Sequence, residues 1–166
     1  MAEAAMRTAT IGRSAAPAVA AIHQARDTAA GSYLNVLVVE QEPYTRTLIK
    51  EIARALGAAQ INAVTDAKSA VTALDTVTGI NLVVCDERLP DMTGLEFLLR
   101  VRRRGPGIMF VLLSDHAEPS HIQMAVESGV SAIVVKPFSR AQLEAKLRYL
   151  AHRMDVPAPA PSAIHA

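Results

Sequence analysis

Leu82-Val83-Val84-Cys85, followed at once by Asp86, is the stretch that decides the fold. It has strand length, is rich in apolar residues and shows no in/out alternation, the pattern of a parallel strand covered on both faces. Outward from it, four more runs share this character: Leu34–Val39, Ile61–Val64, Ile108–Leu113 and Ala132–Val135. Segments with helical spacing follow each run. Leu48, Ile49, Ile52 and Leu56 line one face of the first, and Gly57 closes it. Ala70, Val71 and Leu74 mark the second. Leu95, Leu98 and Leu99 mark the third, which stops at Gly105-Pro106. Ile122, Ala125 and Val126 mark the fourth, closed by Gly129, and Leu143, Leu147 and Leu150 mark the fifth. Five strand–helix repeats predict an α/β domain over residues 34–153, a doubly wound five-stranded parallel sheet with right-handed crossovers and helices on both faces.

The flanks differ in composition. Residues 1–33 hold 12 alanines and little periodicity, so a disordered extension or a short helix from Pro17 to Arg26 is expected. Its only apolar cluster is short and Ala-built, which argues against a secretory signal. Residues 154–166 alternate Pro and Ala and read as an extended tail. Across all 166 residues, 51% are apolar, 20% are charged and the net charge is +1. Such a chain can bury a core, and it offers no global electrostatic case for nucleic acid or an anionic membrane as partner. One cysteine excludes an intrachain disulfide and a Cys-built zinc site. No run approaches bilayer length, and the domain is expected to be cytoplasmic.

Four of the five strands run straight into polar residues. Val39 leads to Glu40, Gln41 and Glu42; Cys85 to Asp86; Leu113 to Ser114; Val135 to Lys136. In an open α/β sheet the carboxyl ends of parallel strands share one edge, where ligands bind at a topological switch point. Acids, a lone Asp, a hydroxyl and an ammonium are therefore expected to converge on one cleft. Crowded carboxylates call for an oxygen-loving cation such as Mg²⁺. A carboxylate beside that cation can act as a nucleophile toward phosphorus, with the hydroxyl and the ammonium meeting the phosphoryl oxygens. The cluster points to phosphoryl transfer onto Asp86.

Val38-Val39-Glu40-Gln41-Glu42-Pro43-Tyr44-Thr45-Arg46 resembles the opening of response-regulator receiver domains, V-D-D-(D/E)-P-x-x-R. Asp86-Glu87-Arg88-Leu89-Pro90-Asp91-Met92-Thr93-Gly94 is similar to their acceptor segment, D-x-x-x-P-x-M-x-G. Ser114 matches their Thr/Ser position, and Lys136-Pro137-Phe138 their K-P-F signature. The four motifs fall in the family's order. The resemblance implies strand order 2-1-3-4-5 and phosphorylation by a histidine kinase or phosphotransfer protein. Asp86 would accept the phosphoryl group, and Ser114 and Lys136 would bind its oxygens. Glu40, Gln41, Asp86 and the backbone carbonyl of Arg88 would hold Mg²⁺. Output would pass by contact with a downstream protein through the fourth helix, fifth strand and fifth helix; a second copy of the chain is a further candidate partner.

Three positions depart from the pattern. Gln41 offers a carbonyl oxygen but no charge, which weakens the Mg²⁺ site; Glu42 is one substitute. Asp115 places an acid where a small residue ordinarily follows the hydroxyl. Ile133 removes the aromatic group that often reports phosphorylation in the family. These departures motivate an alternative, a degenerate receiver that binds protein without phosphate. An enzyme turning over an external phosphate ester is disfavoured, since Arg88 stands where a second acid would be needed. With only 33 and 13 residues outside the periodic core, a stand-alone receiver is expected. Arg100, Arg102, Arg103 and Arg104 read as the cationic end of the third helix, Cys85 as a buried strand residue, and His116 and His121 as exposed.

Overall fold

The computed structural model of the chain describes residues 33–154. The extension expected over 1–33 and the tail over 154–166 lie outside it except for Tyr33 and Met154. Strands and helices alternate: β1 (Asn35–Val39), α1 (Pro43–Ala55), β2 (Gln60–Val64), α2 (Ala67–Thr76), β3 (Leu82–Asp86), α3 (Gly94–Arg104), β4 (Met109–Ser114), α4 (Pro119–Glu127), β5 (Ala132–Val135) and α5 (Arg140–Met154). The sheet runs β2-β1-β3-β4-β5, and every adjacent pair is parallel. Each expected strand is present to within a residue.

Because side chains alternate across a strand, each strand feeds two cores. Val36, Val38, Leu82, Val84, Val111 and Leu113 pack with Ile49 and Ile52 of α1 and Leu143 and Leu147 of α5. Leu37, Val39, Val83, Cys85, Phe110 and Leu112 pack with Ala67 and Ala70 of α2, Phe97, Leu98 and Val101 of α3, and Ala125 of α4. Each fully buried Leu, Ile or Phe contributes about 1.5–3 kcal/mol. Two helical faces differ from expectation. Leu99 is 50% exposed and Val126 is 60% exposed. The inward face of α3 is set by Phe97, Leu98 and Val101, which turns Leu99 outward, and α4 fully buries only Ala125.

The helix starts consume several acids. Glu42 caps α1, accepting from the amides of Tyr44 (2.8 Å) and Thr45 (2.6 Å), with Pro43 in the first turn. Asp66 caps α2 through the Ser69 amide at 2.7 Å. Asp91, from the loop after β3, adds both its oxygens to the same helix start, at the amides of Ala67 (2.9 Å) and Lys68 (2.8 Å). Thr93 and Glu96 form a capping box on α3. Gly94, the first residue of α3, has no room for a side chain: a Cβ there would stand 2.6 Å from the Asp86 carbonyl oxygen and 2.7 Å from Leu112 Cδ1. That close approach seats α3 against the end of β3.

Candidate functional site

The sheet ladder continues one residue past the strand ends. Glu40 N–H donates to the Val64 carbonyl, Glu87 N–H to Leu113 and Lys136 N–H to Ser114. The alternation therefore continues too. Glu40, Asp86 and Lys136 follow the face of Val38, Val84 and Val134, toward α1 and α5. Glu87 and Ser114 follow the face of Cys85 and Leu112, toward α3 and α4.

On the first face, Asp86 is 4% exposed and its Oδ1 accepts from Lys136 Nζ at 2.7 Å. Glu40 is 1% exposed; its Oε1 accepts from the Glu42 amide at 2.9 Å, while its Oε2 is buried without a hydrogen-bond partner. Burial pushes the Glu40 carboxyl up, the Glu42 N–H bond opposes this, and the charge of Asp86 adds to the rise. Burial pulls the Lys136 ammonium down, but its bond to Asp86 and the charges of Asp86 and Glu40 outweigh this, so it ends above its ordinary value. Asp86 thus stands beside a firmly protonated Lys136, with the buried Glu40 carboxyl close enough to feel its charge. Arg46 fixes the loop that carries this second acid, donating from Nη1 to the carbonyls of Glu40 (2.9 Å) and Gln41 (3.0 Å).

The other positions singled out in the sequence take different partners. Gln41 presents its amide nitrogen, not its oxygen, and Nε2 donates to the Arg88 carbonyl at 2.9 Å. Both oxygens of Glu42 are committed to the α1 cap, so it is no substitute ligand. The Arg88 side chain, 72% exposed, pairs with Asp115 at 2.8 Å across the rim. The Ser114 hydroxyl is fully buried and donates to Glu87 Oε2. His121 is not a solvent group: it is half-buried and its Nε2 lies in ion-pair contact with Glu87 Oε1. The contact is out of line with the ring, and Nε2 makes no aligned hydrogen bond. Glu87 was missed by sequence reasoning, although strand alternation carried one residue past Asp86 places it beside Ser114. Cys85 is buried, and burial pushes its thiol well up.

Glu40 and Asp86 supply two buried carboxylates that feel each other's charge, and Glu40 Oε2 is an orphaned buried oxygen, which a small hard cation satisfies. Among the described residues no cluster of three or more His, Cys, Asp or Glu side chains could hold a metal, and at this edge the position beside Glu40 is the neutral Gln41. The donors fit Mg²⁺ with the Arg88 carbonyl as third oxygen, once the Gln41 amide releases it.

A parallel sheet of order 2-1-3-4-5 with a lysine-paired aspartate and a second acid at its carboxyl edge defines the receiver class of signalling domains. The chain belongs to the response regulator receiver domain family, which it matches over residues 36–148. It is 32% identical over 131 residues to the cyclic di-GMP phosphodiesterase RocR of Pseudomonas aeruginosa, an alignment covering 75% of this chain and 33% of that protein. It is 32% identical over 126 residues to the probable transcriptional regulatory protein TcrX of Mycobacterium tuberculosis, covering 76% of this chain and 53% of that protein. The chain thus spans between a third and about half of the length of these relatives. The chemotaxis response regulator CheY4 of Vibrio cholerae shares the fold, with a TM-score of 0.65 at 22% identity over 70% of this chain and 98% of that one. Among the described residues no helix is long and apolar enough to cross a membrane.

Proposed function

We propose that this receiver accepts a phosphoryl group on Asp86 from the phosphohistidine of a histidine kinase or phosphotransfer protein in the cytoplasm, and signals through protein contacts. The observation that carries the reading is the buried Asp86 carboxylate paired with the part-exposed Lys136 at 2.7 Å beside Glu40. A carboxylate oxygen of Asp86 attacks phosphorus, and the P–N bond of the donor breaks. The electron pair leaves on the donor's imidazole, which recovers a proton from solvent. The new bond is an acyl phosphate. Lys136, released from the ionised carboxylate, pairs with a phosphoryl oxygen, where a held ammonium stabilises growing negative charge. Ser114 supplies a hydroxyl to another oxygen once it leaves Glu87. Glu40, Asp86 and the Arg88 carbonyl would hold Mg²⁺, which when bound neutralises charge on the phosphoryl oxygens. Gln41 stays outside that set as long as its N–H faces the carbonyl.

Incubation with acetyl phosphate and Mg²⁺ tests the reading. The intact chain is expected to gain one phosphoryl mass that the Asp86→Asn variant does not gain; no gain in the wild type sinks it. The Gln41–Arg88 bond and the Arg88–Asp115 pair favour a second reading, a receiver that binds partners without phosphate. On that reading Asp86→Asn keeps full partner binding and function in cells.

A further inference from the structure

Glu87 is a carboxylate 6% exposed that phosphoryl transfer as described does not use. Burying a charge is costly unless it is well bonded, and here each oxygen is served by a different element. Oε2 accepts the Ser114 hydroxyl at the end of β4 and the Asp115 amide at 3.2 Å. Oε1 lies against His121 on α4, whose ring packs on His116 with centroids 4.9 Å apart. A serine hydroxyl has one proton to give. While it goes to Glu87, none is left for an oxygen bound at Asp86. The Ser114 oxygen also accepts from the His116 amide at 3.0 Å, and the His116 carbonyl, at 3.1 Å, is a second and longer-range acceptor for its proton, so the group is held from both sides.

When Ser114 turns away, Glu87 loses a donor in a buried place, which costs about 1–3 kcal/mol unless another donor arrives. Of its two remaining contacts, the Asp115 amide is fixed in the backbone. His121 sits on the helix with the least anchoring: nine residues, no side-chain cap at Glu118, and Ala125 as its one fully buried residue. The His121 and Glu87 atoms already touch, and what the contact lacks is alignment, which a small rotation of the ring carried by α4 supplies.

We propose that Glu87 is a positioning residue: it holds the Ser114 proton in the resting protein, yields it to a phosphoryl oxygen on Asp86, and replaces it by bringing the touching His121 Nε2–H into line, so that occupation of Asp86 turns His121 and the α4 helix that carries it. The inference rests on Asp86 being the acceptor. It gives the chain a polar link to α4 where Ile133 supplies no aromatic one.

The test uses the full chain with beryllofluoride and Mg²⁺, read by fluorine and amide nitrogen NMR. In the wild type the amides of Ser114, His121, Ile122 and Ala125 shift on binding. Glu87→Gln keeps an acceptor for Ser114 and gives the same pattern. Glu87→Leu leaves Ser114 only the longer bond to the His116 carbonyl, so beryllofluoride binds tighter, by up to about fivefold, the equivalent of the Glu87 hydrogen bond no longer broken, and the α4 amides stay still. A folded Glu87→Leu that binds no tighter, or whose α4 amides shift as before, overturns the proposal and leaves Asp86 as acceptor intact. A wild type that does not bind beryllofluoride overturns both. Should Glu87→Leu fail to fold, His121→Leu decides: the Ser114 amide is expected to respond and the α4 amides are not, and an unchanged α4 response refutes the link.

Discussion

Replacing Gln41 by Ala is expected to strengthen Mg²⁺ binding, the reverse of what deleting a metal ligand does. The Gln41 nitrogen donates to the Arg88 carbonyl at 2.9 Å, so that oxygen can face a cation only after the bond is broken. A neutral hydrogen bond in reach of solvent is worth about 0.5–1.5 kcal/mol net, and Gln41 is exposed, which favours the lower end. Removing it should tighten Mg²⁺ by about 2- to 10-fold, at 1.4 kcal/mol per tenfold. Gln41→Asp removes the same competitor and adds a third carboxylate, so it should gain more than Ala does. Isothermal titration with MgCl₂ at fixed ionic strength measures all three, with Asp86→Asn as the control that loses the site. If Gln41→Ala binds Mg²⁺ at least threefold more weakly than the wild type, Gln41 is a ligand through its oxygen and the reasoning fails.

Lys136→Met leaves Asp86 buried without its cation; unfolding by urea should show a loss of about 1–3 kcal/mol, less than for a fully buried pair because a quarter of the Lys136 side chain meets solvent. The same variant should take phosphate from acetyl phosphate far more slowly, while the double variant with Asp86→Asn recovers part of the stability. Gly94→Ala forces a Cβ against the Asp86 carbonyl and Leu112, so a loss of about 1–3 kcal/mol in the same assay should come with slower phosphorylation. Asp66→Ala removes the α2 cap, whose carboxyl is held below its ordinary value of 3.8 by the Ser69 amide and hydroxyl. A depressed folded-state value contributes stability above pH 3.8 that is lost as pH falls through the folded value. Thermal melts should therefore show the variant a few degrees below the wild type at pH 7, the gap closing toward pH 3.

Strands and cleft were legible because the same physics sets both. Runs such as Val83-Val84-Cys85 are apolar on both faces, and parallel strands must end on one edge, which brings Glu40, Asp86 and Lys136 together from three parts of the chain. The role of Glu42 was misread as that of a substitute ligand, although an acid before Pro43 at a helix start is the pattern of a cap. Which atom Gln41 presents was not readable, because it depends on where the Arg88 carbonyl comes to lie, 47 residues further on. Glu87 was passed over as the neighbour of the acceptor, although alternation at Val83, Cys85 and Glu87 matches that at Phe110, Leu112 and Ser114. His121 needed the rotation of α4, which a short helix with one buried residue leaves unspecified in sequence. Leu99 misled for a related reason: three leucines within five residues suggest a face that Phe97 and Val101 in fact define.

Borohydride cleavage of the phosphorylated chain asks most directly whether the carboxylate paired with Lys136 is the one that becomes an acyl phosphate. Reduction converts an aspartyl phosphate to homoserine, and peptide mapping then names the residue. Homoserine at position 86 is the predicted result. Reduction at Glu40, Glu87 or Asp115 with position 86 unmodified would contradict the account.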